Sequence, residues 1–128
     1  MIDELTYDAE LNFVRVTMSG EIPDHEFRRV LEFLTTSQDF PPEVNVLWDI
    51  RTIEFFNLNT SFLKTLGEIR DDYAAKRNPA RAAILVPGDV EASIVRLLRD
   101  ISRMPDNHLK ITESIDDAEN WCRSEDPS

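Results

Sequence analysis

The chain has few of the residues on which many small proteins rely for structure or chemistry. Its 128 residues include one cysteine, two histidines and three glycines. The single cysteine, Cys122, excludes an intramolecular disulfide and the cysteine-rich zinc frameworks. Acidic neighbours such as Asp117 and Glu119 would raise its pKa, so we expect a buried or inert thiol. The imidazoles of His25 and His108 lack the spacing of a helical metal-binding pair, and we expect no metal site.

The common catalytic and nucleotide-binding patterns are missing as well. Gly20, Gly67 and Gly88 are isolated, whereas phosphate-binding loops need clustered glycines so that backbone amides can approach the ligand. No serine has the flanking glycines of a hydrolase nucleophile elbow. The 25 acidic residues make chance pairs of carboxylates common, so no acid–base pair stands out. We therefore expect a non-enzymatic protein without a cofactor.

Charge and hydropathy limit the partners. The net charge of −11 argues against a nucleic-acid surface, for which a basic footprint is expected. The apolar stretch 82–86 is far shorter than a membrane span, and the first residues lack a basic, apolar leader. We expect a cytoplasmic protein with no integral membrane segment. Residues 64–110 carry nine basic and seven acidic side chains, which makes this region the one suited to an anion.

Hydrophobic periodicity predicts an α/β protein. An alternating strand pair comes first, and amphipathic helices then alternate with strands in the order ββαβαβαβα. This order predicts a mixed sheet of four to five strands with about four helices, in one domain over 1–128 with an ordered core of about 3–123. The predicted strands cover residues 5–7, 12–18, 44–50, 82–86 and 108–112, and the predicted helices begin near Asp24, Asn59, Asp89 and Ser114.

The third predicted helix has two distinct sides. Its apolar residues share an arc of about 100°, which predicts that they face the core. The members of this arc are Val90, Ile94, Leu97, Leu98 and Ile101. Arg96, Arg99 and Arg103 lie on the opposite side. They form either a solvated face that balances nearby acids or a site for an anion or an acidic partner.

The end of the strand 44–50 and the segment after it offer two more candidates. Asp49 lies where the crevice of an α/β sheet usually forms, and it is either a functional residue or a structural partner for Arg51. The predicted loop 51–58 is unusually apolar for a surface connection. Its large side chains either fold inward as core or form an aromatic contact patch. These side chains are Ile53, Phe55, Phe56 and Leu58.

Three segments, 46–51, 82–86 and 115–121, resemble the SpoIIAA-like group of small bacterial proteins, which is related to STAS domains and more distantly to the SEC14 lipid-binding fold. The order of elements matches over nearly the whole chain, and the motif Trp48-Asp49-Ile50-Arg51 carries most of the likeness. The resemblance implies a non-enzymatic domain that acts by binding. STAS relatives bind anti-sigma factors or serve as cytosolic regulatory modules, and phosphorylation switches some of them.

The chain departs from the STAS phosphorylation pattern. In that pattern Ser or Thr directly follows the aspartate at the strand end, whereas Ile50 and Arg51 follow Asp49 here. Thr60 and Ser61 share with it only a place near the start of the second helix. A phosphate there would be favoured by the helix dipole and the unbonded amides, so modification of these hydroxyls is a hypothesis.

Two functional hypotheses follow. In the first, the chain is a protein-interaction module whose partner-binding residues lie after the third strand and at the start of the second helix, namely Asp49, Arg51, Phe55, Phe56, Thr60 and Ser61. In the second, it carries a small apolar or lipid ligand, although a pocket of about 300 to 1,000 Å³ would take much of so small a core. An exposed apolar loop also suits self-association, so a symmetric homodimer is a further hypothesis.

Overall fold

The elements of the protein follow the predicted order. The structure, a computed structural model, describes residues 2–21, 23–55, 60–77, 80–102 and 108–123. The strands are β1 (Ile2–Asp8), β2 (Phe13–Gly20), β3 (Asn45–Ile53), β4 (Ala82–Leu85) and β5 (Leu109–Thr112). The helices are α1 (Asp24–Thr36), α2 (Thr60–Arg77), α3 (Asp89–Ser102) and α4 (Ile115–Arg123). The predicted α/β class, with a mixed sheet and four helices, is confirmed.

One five-stranded sheet organises the chain, with its strands in the order β1-β2-β3-β4-β5. β1 and β2 are antiparallel, and the remaining pairs are parallel. The hairpin between β1 and β2 turns at Asn12, whose φ of 59° is one that asparagine tolerates better than most residues. Asp8 stabilises this turn, since its carboxylate accepts a hydrogen bond from the Leu11 amide at 2.9 Å.

Helices cover the sheet from both sides, and β3 shows this most clearly. Val46 and Trp48 belong to an apolar cluster with residues of α1 and α2, such as Leu34 and Ile69. Leu47, which points the other way, packs in a second cluster with residues of α4. A third cluster joins α3 to the same side as α1 and α2. The molecule therefore has an α1–α3 side and an α4 side.

Local interactions explain why α4 closes the second side. Ser114 caps the helix as expected, because its Oγ accepts from the Asp117 amide at 3.2 Å. The Trp121 Nε1 donates to the Ala82 carbonyl at 3.1 Å, and the Asn45 Nδ2 donates to the Cys122 carbonyl at 2.8 Å. These bonds fix α4 against the amino-terminal ends of β3 and β4.

β3 is longer than the predicted strand 44–50. Arg51, Thr52 and Ile53 belong to the strand rather than to a loop. The pairing with β2 advances from Thr17 with Asp49 to Ser19 with Thr52, so β3 holds one residue more than β2 in this interval. This β-bulge interrupts the alternation of side chains, and the extension was therefore invisible in the sequence pattern.

The prediction that the apolar arc of α3 faces the core is wrong for Val90 and Leu97. Among the described side chains of this helix, Ala92 and Val95 are buried, and they pack with Val86 at the end of β4. Val90 is 72% exposed and Leu97 is 45% exposed. Part of the apolar arc therefore faces outward, whereas Ile94 of the same arc is half-buried. The side chains of Leu98 and Ile101 fall outside the described part of the structure.

Within the described residues, none of the helices combines the length and the apolar character needed to cross a membrane.

The two-sided core predicts a contrast between two leucines. Leu47→Ala removes a side chain that is 0% exposed, and we expect it to lower the free energy of unfolding by about 2 to 5 kcal/mol. Leu97→Ala changes an outward-facing residue, and we expect a loss of less than about 1 kcal/mol. Urea unfolding of both variants at the same low protein concentration measures the difference. Equal losses would contradict the orientation of α3.

Candidate functional site

The α4 side of the sheet changes from apolar to polar along β3. Leu47 lies under α4 together with Ala83 and Leu85 of β4. Further along β3, Asp49 and Arg51 continue on this side, where their side chains meet each other. The candidate site therefore begins where the cover provided by α4 ends.

The β-bulge explains why an aspartate stands at this point. A bulge disturbs the ladder of backbone hydrogen bonds and leaves an amide in need of a partner. The Asp49 Oδ1 accepts a hydrogen bond from the Arg51 backbone amide at 3.2 Å. Asp49 thus satisfies the backbone of the bulge and fixes the position of the residue two places on.

The same carboxylate holds the Arg51 guanidinium in two places. Arg51 Nε donates to Oδ1 at 3.0 Å, and Nη2 donates to Oδ2 at 2.8 Å. The Asp49 side chain is 12% exposed, whereas that of Arg51 is 45% exposed. The pair therefore consists of a largely buried carboxylate and an outward-facing cation. Asp49 is thus a structural partner for Arg51, which was one of the two roles that the sequence left open.

Charge stabilises this arrangement. The hydrogen bonds from Arg51 hold the pKa of Asp49 below its ordinary value of 3.8, although burial acts in the opposite direction. The carboxylate in turn raises the pKa of Arg51. Both groups are ionised at neutral pH, and the pair is a charge-assisted, two-pronged contact.

Neighbouring strands extend the polar surface around Arg51. Thr17 of β2 lies opposite Asp49 in the sheet, and Glu4 of β1 lies opposite Thr17. Thr6, beside Glu4 on β1, donates to the Glu4 carboxylate at 3.1 Å. We call these five residues the polar sheet face: Glu4, Thr6, Thr17, Asp49 and Arg51. Its border with α4 is closed by an ion pair of 2.7 Å between Arg15 and Glu119.

The aromatic residues after β3 do not share this surface. Phe55 is half-buried and packs with Val86 and Val95 on the α1–α3 side. Ile53 packs against the main core on that same side. For these two residues the inward-facing alternative is the one found. Phe56 and Leu58 lie outside the described residues, so a contact patch formed by them stays a prediction.

The start of α2 holds the predicted hydroxyl residues. Thr60 is the first residue of the helix, but its side chain falls outside the described part of the structure. Ser61 is exposed, and its carbonyl accepts a hydrogen bond from Thr65 Oγ1 at 3.1 Å. The first turn of α2 carries no acidic residue, so its amides retain their positive field. Phosphorylation there stays a hypothesis.

The arginines proposed for anion binding are described only in part. Arg96 is exposed on α3. The side chain of Arg99 and the whole of Arg103 lie outside the described residues. The row of three arginines therefore stays a prediction.

Burial makes the Cys122 thiol hard to ionise. Cys122 Sγ donates to the Val46 carbonyl at 3.3 Å, and burial raises the pKa of this thiol to about 12. Desolvation rather than acidic neighbours is the main cause. Among the described residues, no group of three or more His, Cys, Asp or Glu side chains is placed to hold a metal ion.

Sequence reasoning missed Glu4, Thr6 and Thr17 as members of the site. Alternation along β2 already placed Arg15 and Thr17 on one side of their strand. What the pattern did not contain was the pairing of Thr17 with Asp49 and of Glu4 with Thr17. Register between strands is a long-range property, and the alternation within one strand does not reveal it.

The chain matches no family model, no curated protein and no solved structure. The likeness to the SpoIIAA-like group therefore stays a prediction from short sequence segments.

The Asp49 anchor predicts a pH-dependent loss of stability on truncation. We expect Asp49→Ala to lower the free energy of unfolding at pH 7 by about 1 to 3 kcal/mol, because Arg51 loses two charge-assisted bonds and the bulge loses its acceptor. The pKa of Asp49 is lowered in the folded state, so its contribution is present above the unfolded value and disappears as the pH falls through the folded value. Urea unfolding between about pH 6 and pH 3 measures the difference in the free energy of unfolding between the wild type and the variant, which should become smaller as the pH falls.

Asp72→Ala is the matched control for this experiment. Asp72 pairs with Arg28 at 3.1 Å, but both side chains are at least half exposed. We expect a loss of at most about 1 kcal/mol, since exposed ion pairs contribute little. Two results would contradict the anchoring role of Asp49. One is a similar loss of unfolding free energy in the Asp49→Ala and Asp72→Ala variants, and the other is a loss in Asp49→Ala that does not depend on pH.

The buried thiol predicts slow chemical modification. Because Cys122 is 1% exposed and its pKa is raised, we expect the native protein to react with a disulfide reagent far more slowly than the urea-unfolded protein. Absorbance of the released thiolate follows both reactions. Equal rates would show that α4 does not cover this cysteine.

Proposed function

We propose that the chain is a non-enzymatic regulatory or interaction module of the SpoIIAA-like type, which binds another protein through the polar sheet face and the start of α2. The observation that carries the proposal is the Arg51 guanidinium, which is anchored by Asp49 and the bulge yet remains 45% exposed. The proposal includes a cytoplasmic location, in keeping with a free thiol at Cys122.

A fixed arginine is well suited to recognition. Arginine is enriched among the residues that dominate binding energies at protein interfaces. A flexible side chain loses rotamer entropy when a partner immobilises it, whereas Arg51 is already held by its two bonds to Asp49. Binding through Arg51 therefore costs less side-chain rotamer entropy than binding through a flexible arginine.

The remaining donors of Arg51 indicate what the partner presents. A guanidinium has five N–H groups, and its bonds to Asp49 use one on Nε and one on Nη2. The other three point away from Asp49 and suit a carboxylate or a backbone carbonyl of the partner. The net charge of −11 favours a partner that is basic overall and carries an acceptor group at this point.

The chemistry of the polar sheet face supports binding rather than turnover. A carboxylate acts as an efficient general base when its pKa lies near the working pH. The pKa of Asp49 is instead lowered, and the oxygens of this carboxylate are engaged with Arg51. Asp49 therefore supports a neighbour rather than exchanging protons with a substrate.

The packing of Phe55 disfavours the alternative of an apolar-ligand carrier. A carrier site built on this ring would need it to line a cavity. The ring is instead half-buried and packs against the cluster of Val86, Ala92 and Val95.

Capture from an extract of the source organism tests the proposal. We expect the immobilised wild-type protein to retain a protein partner. We expect the Arg51→Gln variant to retain at least tenfold less of it. Arg28→Gln is the matched control, because Arg28 is also an exposed, ion-paired arginine but lies on the α1–α3 side. We expect it to behave as the wild type.

Three outcomes would overturn the proposal. They are equal capture by the Arg51→Gln and wild-type proteins, equal loss in both arginine variants, and a lipid found by native mass spectrometry in stoichiometric amount on the purified chain. The last result would support the carrier hypothesis instead.

A further inference from the structure

The outward side of α3 carries two parallel rows, each made of residues seven positions apart. Val90 and Leu97 form an apolar row and are 72% and 45% exposed. Asp89 and Arg96, one position earlier in each case, form a charged row that is also exposed. Seven residues make nearly two helical turns, so each row runs along the helix and the two rows lie about 100° apart.

A solvent-exposed apolar row on an amphipathic helix needs an explanation. Among the described side chains of α3, Ala92 and Val95 are the buried ones, and they pack with Val86 at the end of β4. Val90 and Leu97 face outward, although an amphipathic helix normally turns such apolar side chains toward the core. Their exposure marks this side of α3 as an interaction surface.

The charged row indicates which partner fits. An acidic residue at one end and a basic residue at the other make the row complementary to itself when two copies run in opposite directions. In that arrangement Asp89 of each copy faces Arg96 of the other, and two identical ion pairs form. A parallel arrangement about a twofold axis would instead set each charged row against the apolar row of the other copy. Twofold symmetry of this kind is the commonest in homo-oligomers.

A single axis position satisfies both rows. With a twofold axis at Ser93, Val90 comes within one residue, about 1.5 Å along the helix, of Leu97 in the other copy. Asp89 comes equally close to the level of Arg96 in the other copy. Ser93 itself is exposed and lies between the two rows, where its small side chain allows the helices to approach closely.

The electrostatic surroundings favour this surface for self-association. The chain as a whole carries −11, which opposes contact between copies. α3 has three acidic and two basic side chains, so repulsion is weak there. In addition, Glu113 lies against Asp89, and this contact raises the pKa of Glu113. A facing arginine would relieve the crowding of negative charge at this end of the helix.

We propose that a second copy of this chain docks on the outward side of α3, antiparallel to it, about a twofold axis at Ser93. The apolar rows pack against each other, and Asp89 pairs with Arg96 of the other copy. A helix of 14 residues offers a contact only about 20 Å long, so a dissociation constant in the micromolar range is expected. The dimer leaves the polar sheet face, on the α4 side, open to another partner.

Mass measurement over a range of concentrations tests the dimer. Light scattering after size exclusion should give 14.8 kDa for dilute wild-type protein and approach twice that mass at high concentration. Leu97→Glu should stay at 14.8 kDa throughout. Ile115→Glu is the matched control, because Ile115 is 37% exposed but begins α4, and it should dimerise as the wild type does.

Charge exchange tests the antiparallel register. Asp89→Arg alone and Arg96→Asp alone each place like charges in both predicted pairs, so each should weaken dimerisation at least tenfold. An equal mixture of the two variants restores both pairs, with Arg opposite Asp at each, and should dimerise about as strongly as the wild type. Circular dichroism confirms that each variant is folded, and amide exchange of wild-type α3 should slow as concentration rises.

Several results would overturn the proposal: a wild-type mass of 14.8 kDa at every concentration, a Leu97→Glu variant that dimerises normally, or single charge variants whose mixture gains nothing. An amide exchange rate of α3 that does not change with protein concentration would also overturn the proposal.

Discussion

The bulge in β3 is the constraint on which the candidate site depends. β3 lies in the middle of the sheet and must supply apolar side chains to both sides, with Trp48 under α1 and α2 and Leu47 under α4. Its extra residue relative to β2 ends this regular pattern and leaves the Arg51 amide to be satisfied by Asp49. The aspartate that bonds the backbone amide of Arg51 also holds the guanidinium of Arg51 at the surface.

The two sides of the sheet carry different surfaces. On the α4 side, the short helix covers the apolar first part of β3 and leaves the polar sheet face beyond it. On the α1–α3 side, the core is covered, and the outward row of Val90 and Leu97 lies on the third helix. In the two proposals, the polar sheet face binds a different protein and the outward side of α3 binds a second copy of the chain. Neither surface requires a cavity in the core.

The sequence predicted most of the fold because its strong patterns are local. Residues 82–86 have no polar side chain, and the strand predicted there is β4, which packs on both sides of the sheet. The predicted helix start near Ser114 and the predicted alternating strand pair depend on similarly local patterns, and both are confirmed. The extension of β3 to Ile53 depends on pairing with Ser19 and Gly20 across a bulge, which no pattern within one strand reveals.

The orientation of α3 and the role of Asp49 were beyond local patterns for different reasons. An amphipathic helix indicates that one face avoids water, but the same pattern serves a core and an interface between chains. For α3 this ambiguity produced a wrong expectation for Val90 and Leu97. For Asp49 both a functional and a structural role were compatible with a strand end. The hydrogen bonds to Arg51 show the structural partnership, and the functional role stays a prediction. The contact of Arg15 with Glu119 joins residues 104 positions apart, so sequence spacing gave no indication of it.

The most direct test of a fixed, exposed arginine is the nitrogen-15 heteronuclear Overhauser effect of the Arg51 Nε–H group in solution. We expect a value close to that of the β3 backbone amides, together with slow exchange of this proton, because Asp49 accepts its bond. The exposed Arg29 of α1 provides the internal reference for a solvent-exposed arginine side chain. An Arg51 value as low as that of Arg29 would contradict the anchoring of Arg51 by Asp49.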